Sequence, residues 1–152
     1  MTLPLQAIIL RFWTRGDRSR RLAGTGFLAR TADGRAVAVT CGHVANLVFG
    51  RSKSDSTPLA PGQTTEADLF GRRQPLRLTL AGWFPPTPLD ADRQDALADI
   101  AIFQPEVGFS PPPLLRLRTE PPARIASVEQ PLNFSTFGYM AGEVAWEIRT
   151  AR

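Results

Sequence analysis

The stretch "LAGTGFLARTADGRAVAVT", residues 22–40, decides the reading of the fold. Two apolar runs, 22–30 and 36–40, flank "TADGR", and Asp33-Gly34 between such runs is a strong hairpin signal because glycine accepts the positive φ that tight turns demand. The runs are therefore expected to be antiparallel strands. Gly24 and Gly26 mark places where a neighbouring backbone approaches closely.

Working outward, 5–13 reads as an earlier strand, and the arginine-dense "RGDRSRR" at 15–21 as the solvated loop of a hairpin. After Thr40 the period changes. "CGHVANLVF" carries apolar residues at 44, 47 and 48, which suits one or two helical turns, so His43 is expected where a strand ends and a short helix begins. Residues 50–64 are polar and rich in proline and glycine, hence a surface loop. Further strands are expected at 66–70, 76–83 and 100–103, the last after a Pro- and Asp-rich loop. Residues 104–122 carry "PPP" and "PP" and are expected to be irregular, because proline cannot donate to a ladder. "FSTFGYMAG" at 134–142 reads as one more strand ending in a glycine turn. Six or seven short strands, one short helix and no internal repeat describe an all-β domain, a small antiparallel barrel or sandwich.

Composition narrows the classes. A chain of 152 residues with 43% hydrophobic and 21% charged residues has the length and apolar content for one globular core. Its net charge of +4 comes from 17 arginines and the single Lys53, but the arginines are scattered rather than gathered in a stripe, which argues against nucleic-acid binding. One cysteine leaves no internal disulfide. The apolar start "MTLPLQAIILRFW" lacks a basic n-region and a cleavage motif, and no run approaches the ~20 apolar residues of a membrane span. A cytoplasmic protein without a membrane partner is the expectation.

His43 is the only histidine and Cys41 the only cysteine. Alone, such an imidazole is a packing residue, a metal ligand or a catalytic base. Zinc is disfavoured, since one His and one Cys two positions apart supply too few soft ligands, and neither metal nor cofactor is expected. "GTGF" has neither the spacing nor the lysine of a phosphate loop. Cys41 is expected to be a small buried hydrophobe. Asp99 stands directly before the apolar "IAIF", at the edge of a core where a carboxylate needs a partner, whereas Asp92 and Asp95 lie in a polar loop.

The order of "GTGF" (24–27), "VTCGHVA" (39–45), "DALADIAIF" (95–103) and "FSTFGYMAG" resembles that of the chymotrypsin-like (trypsin-fold) serine peptidases, with their "GSGF"-type strand, "TAAH" or "TAGH", and "DIAL". The resemblance implies an antiparallel six-stranded barrel, the first of that family's two lobes, over residues 1–133, with 134–152 as connector and Trp146 entering a second lobe. It implies that His43 is the general base and Asp99 the carboxylate that fixes its tautomer, acting on a polypeptide substrate. The absence of the animal members' cysteine after the histidine, where Val44 stands, points to a bacterial-type intracellular member.

The same resemblance exposes a shortfall. The family's serine follows its aspartate by roughly ninety residues, and 53 follow Asp99 here. No "GDSGG"-type segment is among them; Ser110 sits in a proline-rich stretch, and Ser127 and Ser135 lack a glycine elbow. The chain is thus expected to be the N-terminal lobe of a serine endopeptidase whose nucleophile lies in a missing C-terminal lobe or partner chain. The alternatives are a non-catalytic protein-interaction module on half a peptidase fold, and a basic barrel that binds nucleic acid.

Overall fold

The structure, a computed structural model, describes residues 5–15, 20–86, 99–112, 115–116, 135–139 and 145–149. Six strands form the main body: β1 (Ile9–Trp13), β2 (Leu22–Arg30), β3 (Ala36–Thr40), β4 (Thr64–Leu69), β5 (Leu76–Phe84) and β6 (Ile100–Pro105). They are hydrogen-bonded in the order β1-β4-β5-β6-β3-β2, and β1 also pairs with β2, so the antiparallel sheet closes on itself as a six-stranded barrel. Read from β4 through β1 and β2 to β3, the order is that of a Greek key. Closure leaves these strands without a free edge.

The hairpin at 31–35 forms as its turn residues require. Gly34 adopts a φ of 87°, its N–H donates to the Thr31 carbonyl, and the Thr31 N–H donates to the Arg35 carbonyl. Ala36 then faces Arg30 and Thr40 faces Gly26. Gly26 is obligatory there, because a Cβ would sit 2.5 Å from the Val39 carbonyl oxygen and 2.8 Å from the Phe12 ring.

Alternate residues of the strands fill the barrel. Leu10, Phe12, Leu28, Leu76, Leu78, Leu80 and Phe103 are fully buried, each contributing about 1.5–3 kcal/mol of hydrophobic stabilisation. The Phe12 and Phe103 rings meet at 5.6 Å between centroids. Inward parity along β5 runs through 76, 78 and 80 and would continue to 82, but a bulge breaks the register between Leu80 and Gly82. The extra residue, Ala81, transfers inward parity to Trp83, which lies opposite the buried Ala101 and packs against the core.

Several boundaries differ from those read in the sequence. Residues Leu5–Ile8 form a 3-10 turn, so the first strand begins only at Ile9; an apolar run by itself does not separate the two conformations. β4 starts at Thr64, earlier than expected, and β6 extends through Gln104 and Pro105. The proline-rich segment contributes a two-residue strand, β7 (Leu115–Arg116), parallel to β2. Among the described residues, strands β8 (Ser135–Tyr139) and β9 (Ala145–Arg149) pair only with each other. The connector boundary at 133/134, Asp92, Asp95 and Ser127 lie outside the described residues.

One helix, α1 (Gly42–Val48), follows β3 directly. It buries Val44, Ala45 and Val48 on the barrel. Among the described residues no helix is long and apolar enough to cross a membrane.

Candidate active site

The first turn of α1 shows how His43 is fixed. Helix N-termini leave backbone N–H groups without intrahelical partners, and a Ser, Thr, Asp or Asn at the N-cap would satisfy one. Here the N-cap is Cys41, whose side chain makes no capping bond. The acceptor comes instead from 56 positions away: the His43 N–H donates to Asp99 Oδ1 at 2.8 Å. The helix therefore starts at Gly42, one residue before His43 rather than after it, and no local sequence signal announces this because the cap is non-local.

The second carboxylate oxygen completes the arrangement. Asp99 Oδ2 lies 2.8 Å from His43 Nδ1. With the carboxylate ionised, Nδ1 carries the proton and donates, which leaves the Nε2 lone pair as the ring's acceptor. Among the described residues, the ring's only hydrogen-bond partner is Asp99. Both side chains are 35% exposed. The pair is thus partly exposed at the barrel surface.

Asp99 is held by its own backbone. It occupies the left-handed region with φ of 58°, a conformation that costs most L-residues ~1–2 kcal/mol and that Asp tolerates better than most. Its N–H donates to the Pro85 carbonyl at 2.9 Å. Ile100 then begins β6. The carboxylate leaves the sheet at the point where β5 ends and β6 starts.

Two further residues close the seam between α1 and β5. Trp83 Nε1, brought inward by the bulge, donates to the Gly42 carbonyl at 3.1 Å. A Cβ on Gly42 would lie 2.4 Å from the Phe84 carbonyl oxygen and 3.3 Å from the Ile100 nitrogen, so the "CGH" glycine is what lets helix and strand end touch. Gly24 does the same beneath the helix, where a Cβ would meet Val44 Cγ2 at 2.6 Å. Behind the site, the buried Asn46 donates Nδ2 to the Asp55 carbonyl at 2.8 Å and tethers the loop after α1.

Sequence reasoning located His43 and Asp99, and the fold brings them together. It missed Gly42, Trp83 and Asn46, whose importance lies in contacts across the barrel; the one available signal was a glycine immediately before the histidine. Cys41 corrects an expectation: its side chain is exposed rather than buried. Burial of part of the thiol, then the negative charge of Asp99 and a hydrogen bond to it, push its pKa up, so the group favours the thiol over the thiolate. Ser110 is exposed in the segment after β6. Ser135 lies in β8, paired with Arg149.

A histidine and carboxylate so arranged have the geometry by which a base can be held by its orienter. Asp99 selects the tautomer and offsets the charge that develops when Nε2 takes a proton. No protein-family model, no curated protein and no solved structure matches the chain.

Proposed function

We propose that the chain is the N-terminal lobe of a trypsin-like serine endopeptidase, with His43 as general base and Asp99 as the carboxylate that orients it. The observation that carries this reading is the two-point grip of Asp99 on His43, ring Nδ1 and backbone N–H each at 2.8 Å. A histidine that serves only packing does not need its tautomer set by a carboxylate while its side chain stays partly exposed. The closed barrel, with the two residues meeting where α1 adjoins the β5–β6 junction, adds support.

In this reading a second lobe, in a longer product or a partner chain, supplies the serine and the amides that bind the oxyanion. His43 Nε2 takes the serine proton as the hydroxyl attacks the peptide carbonyl and then returns it to the leaving amine. Peptide hydrolysis needs no metal or cofactor by this route.

The test begins with the coding sequence beyond Arg152, where a glycine-flanked serine is expected. His43→Ala and Asp99→Asn in the complete protein should each lower peptidase activity by about 10⁴-fold or more with the fold intact. Activity within tenfold of the parent in a folded His43→Ala protein overturns the assignment.

A further inference from the structure

The fold gives His43 and Asp99 a third neighbour that sequence spacing could not supply as part of a set. Cys41 Sγ, a His43 ring nitrogen and an Asp99 carboxylate oxygen all lie within 4.8 Å of one another. We propose that these three side chains form a binding site for one zinc-type divalent cation.

The donor set matches the metal. Thiolate, imidazole and carboxylate together suit Zn²⁺, which binds S at ~2.3 Å and N or O at ~2.0–2.2 Å. Tetrahedral coordination at those lengths separates the donor atoms by about 3.3–3.8 Å. The three atoms fall inside 4.8 Å, and Nδ1 and Oδ2 stand 2.8 Å apart. The backbone is well braced: Cys41 stands at the N-cap position of α1, His43 lies two residues on in its first turn, and Asp99 is tied to Pro85. All three side chains are at least partly exposed to solvent, so the cluster lies at the surface rather than inside the barrel, and three protein ligands leave a fourth position for water.

Binding has a defined proton balance. The thiol gives its proton to solvent as sulfur takes the metal, and Nδ1 exchanges its proton for the ion while the neutral ring carries a proton on Nε2. The metal-loaded ring therefore presents N–H where the free ring presents a lone pair. If His43 acts as the base, a consequence that rests on the preceding proposal, the ion switches that base off. The site itself does not depend on that reading.

The experiment uses the 152-residue chain freed of metal with a chelator. Titration with Co²⁺ should give one bound ion per chain with a thiolate-to-cobalt charge-transfer band, and Zn²⁺ should displace it. Cys41→Ser should abolish the band and weaken Zn²⁺ binding, measured against a chelating dye, by at least about tenfold. The exposed position of Cys41 leaves the fold unaffected, which circular dichroism checks. His43→Gln should weaken Zn²⁺ binding similarly. Absence of the band, or Zn²⁺ affinity of folded Cys41→Ser within about twofold of the parent, overturns the proposal. No step reads peptidase activity, so failure here and failure of the peptidase reading are separate results.

Discussion

Replacing Gly42 with alanine tests how the barrel holds the site. The added methyl would stand 2.4 Å from the Phe84 carbonyl oxygen, about an ångström inside ordinary contact, and the obstacle is backbone rather than a side chain that can swing away. Such overpacking costs up to about 3 kcal/mol. Alanine's better helix propensity offsets about 1 kcal/mol of that. The net loss of up to about 2 kcal/mol corresponds to a fall in Tm of up to about 4–8 °C for a chain of this length.

The same displacement acts on the dyad. Asp99 hangs from Pro85, the residue after Phe84, while His43 follows Gly42. Pushing the two segments apart by about an ångström stretches the 2.8 Å bond between Nδ1 and Oδ2 beyond hydrogen-bond range. Thermal unfolding and the downfield proton resonance of a carboxylate-bound imidazole N–H read the two effects together. Gly82→Ala is the control, since nothing lies within 4 Å of a Cβ there. A Gly42→Ala protein that melts within about 1 °C of the parent and keeps the resonance would refute the reasoning.

Phe103→Ala should cost about 3–5 kcal/mol in chemical denaturation, because the ring is fully buried and touches both Phe12 and Phe49; a loss below about 1 kcal/mol contradicts the core described. The Cys41 thiol should react with iodoacetamide with a midpoint above the ordinary thiol value, and Asp99→Asn should lower that midpoint, since one of the causes that raise it is removed. The Arg51 guanidinium, followed by the Thr57 N–H, lowers Asp55 to about 2. Its folded value lies below the unfolded one, so this contribution to stability is present above the ordinary carboxylate pKa of ~3.9 and fades as pH falls toward about 2. An NMR titration of Asp55 should show the low midpoint, and Arg51→Ala should return it toward the ordinary range; an unchanged midpoint in that variant counts against the pairing.

Local features were readable where local physics decides them. The boundaries of β2 and β3 follow from alternation and an Asp-Gly turn, and Gly26 follows from backbone approach. Asp99 stood out as a carboxylate directly before an apolar run, whereas His43 was singled out as a base only by the order of the motifs around it. What escaped was non-local. The start of α1 depends on a carboxylate 56 positions away, the role of Trp83 depends on a bulge that inverts strand parity, and the company Cys41 keeps depends on where β6 docks. Counting soft ligands along the chain found two residues; the folded barrel sets a carboxylate beside them.

The placement of β6 between β3 and β5 also sets when the dyad comes into being. The other five barrel strands precede it in the chain, and their pairings include the distant β1–β4 contact as well as local hairpins. A nascent chain emerging from the ribosome carries His43 long before Asp99, with its imidazole unoriented and its helix uncapped. Only insertion of the last barrel strand joins the two residues. Correct barrel closure is thus a precondition for the pairing of His43 with Asp99, and a misregistered or half-made domain lacks it.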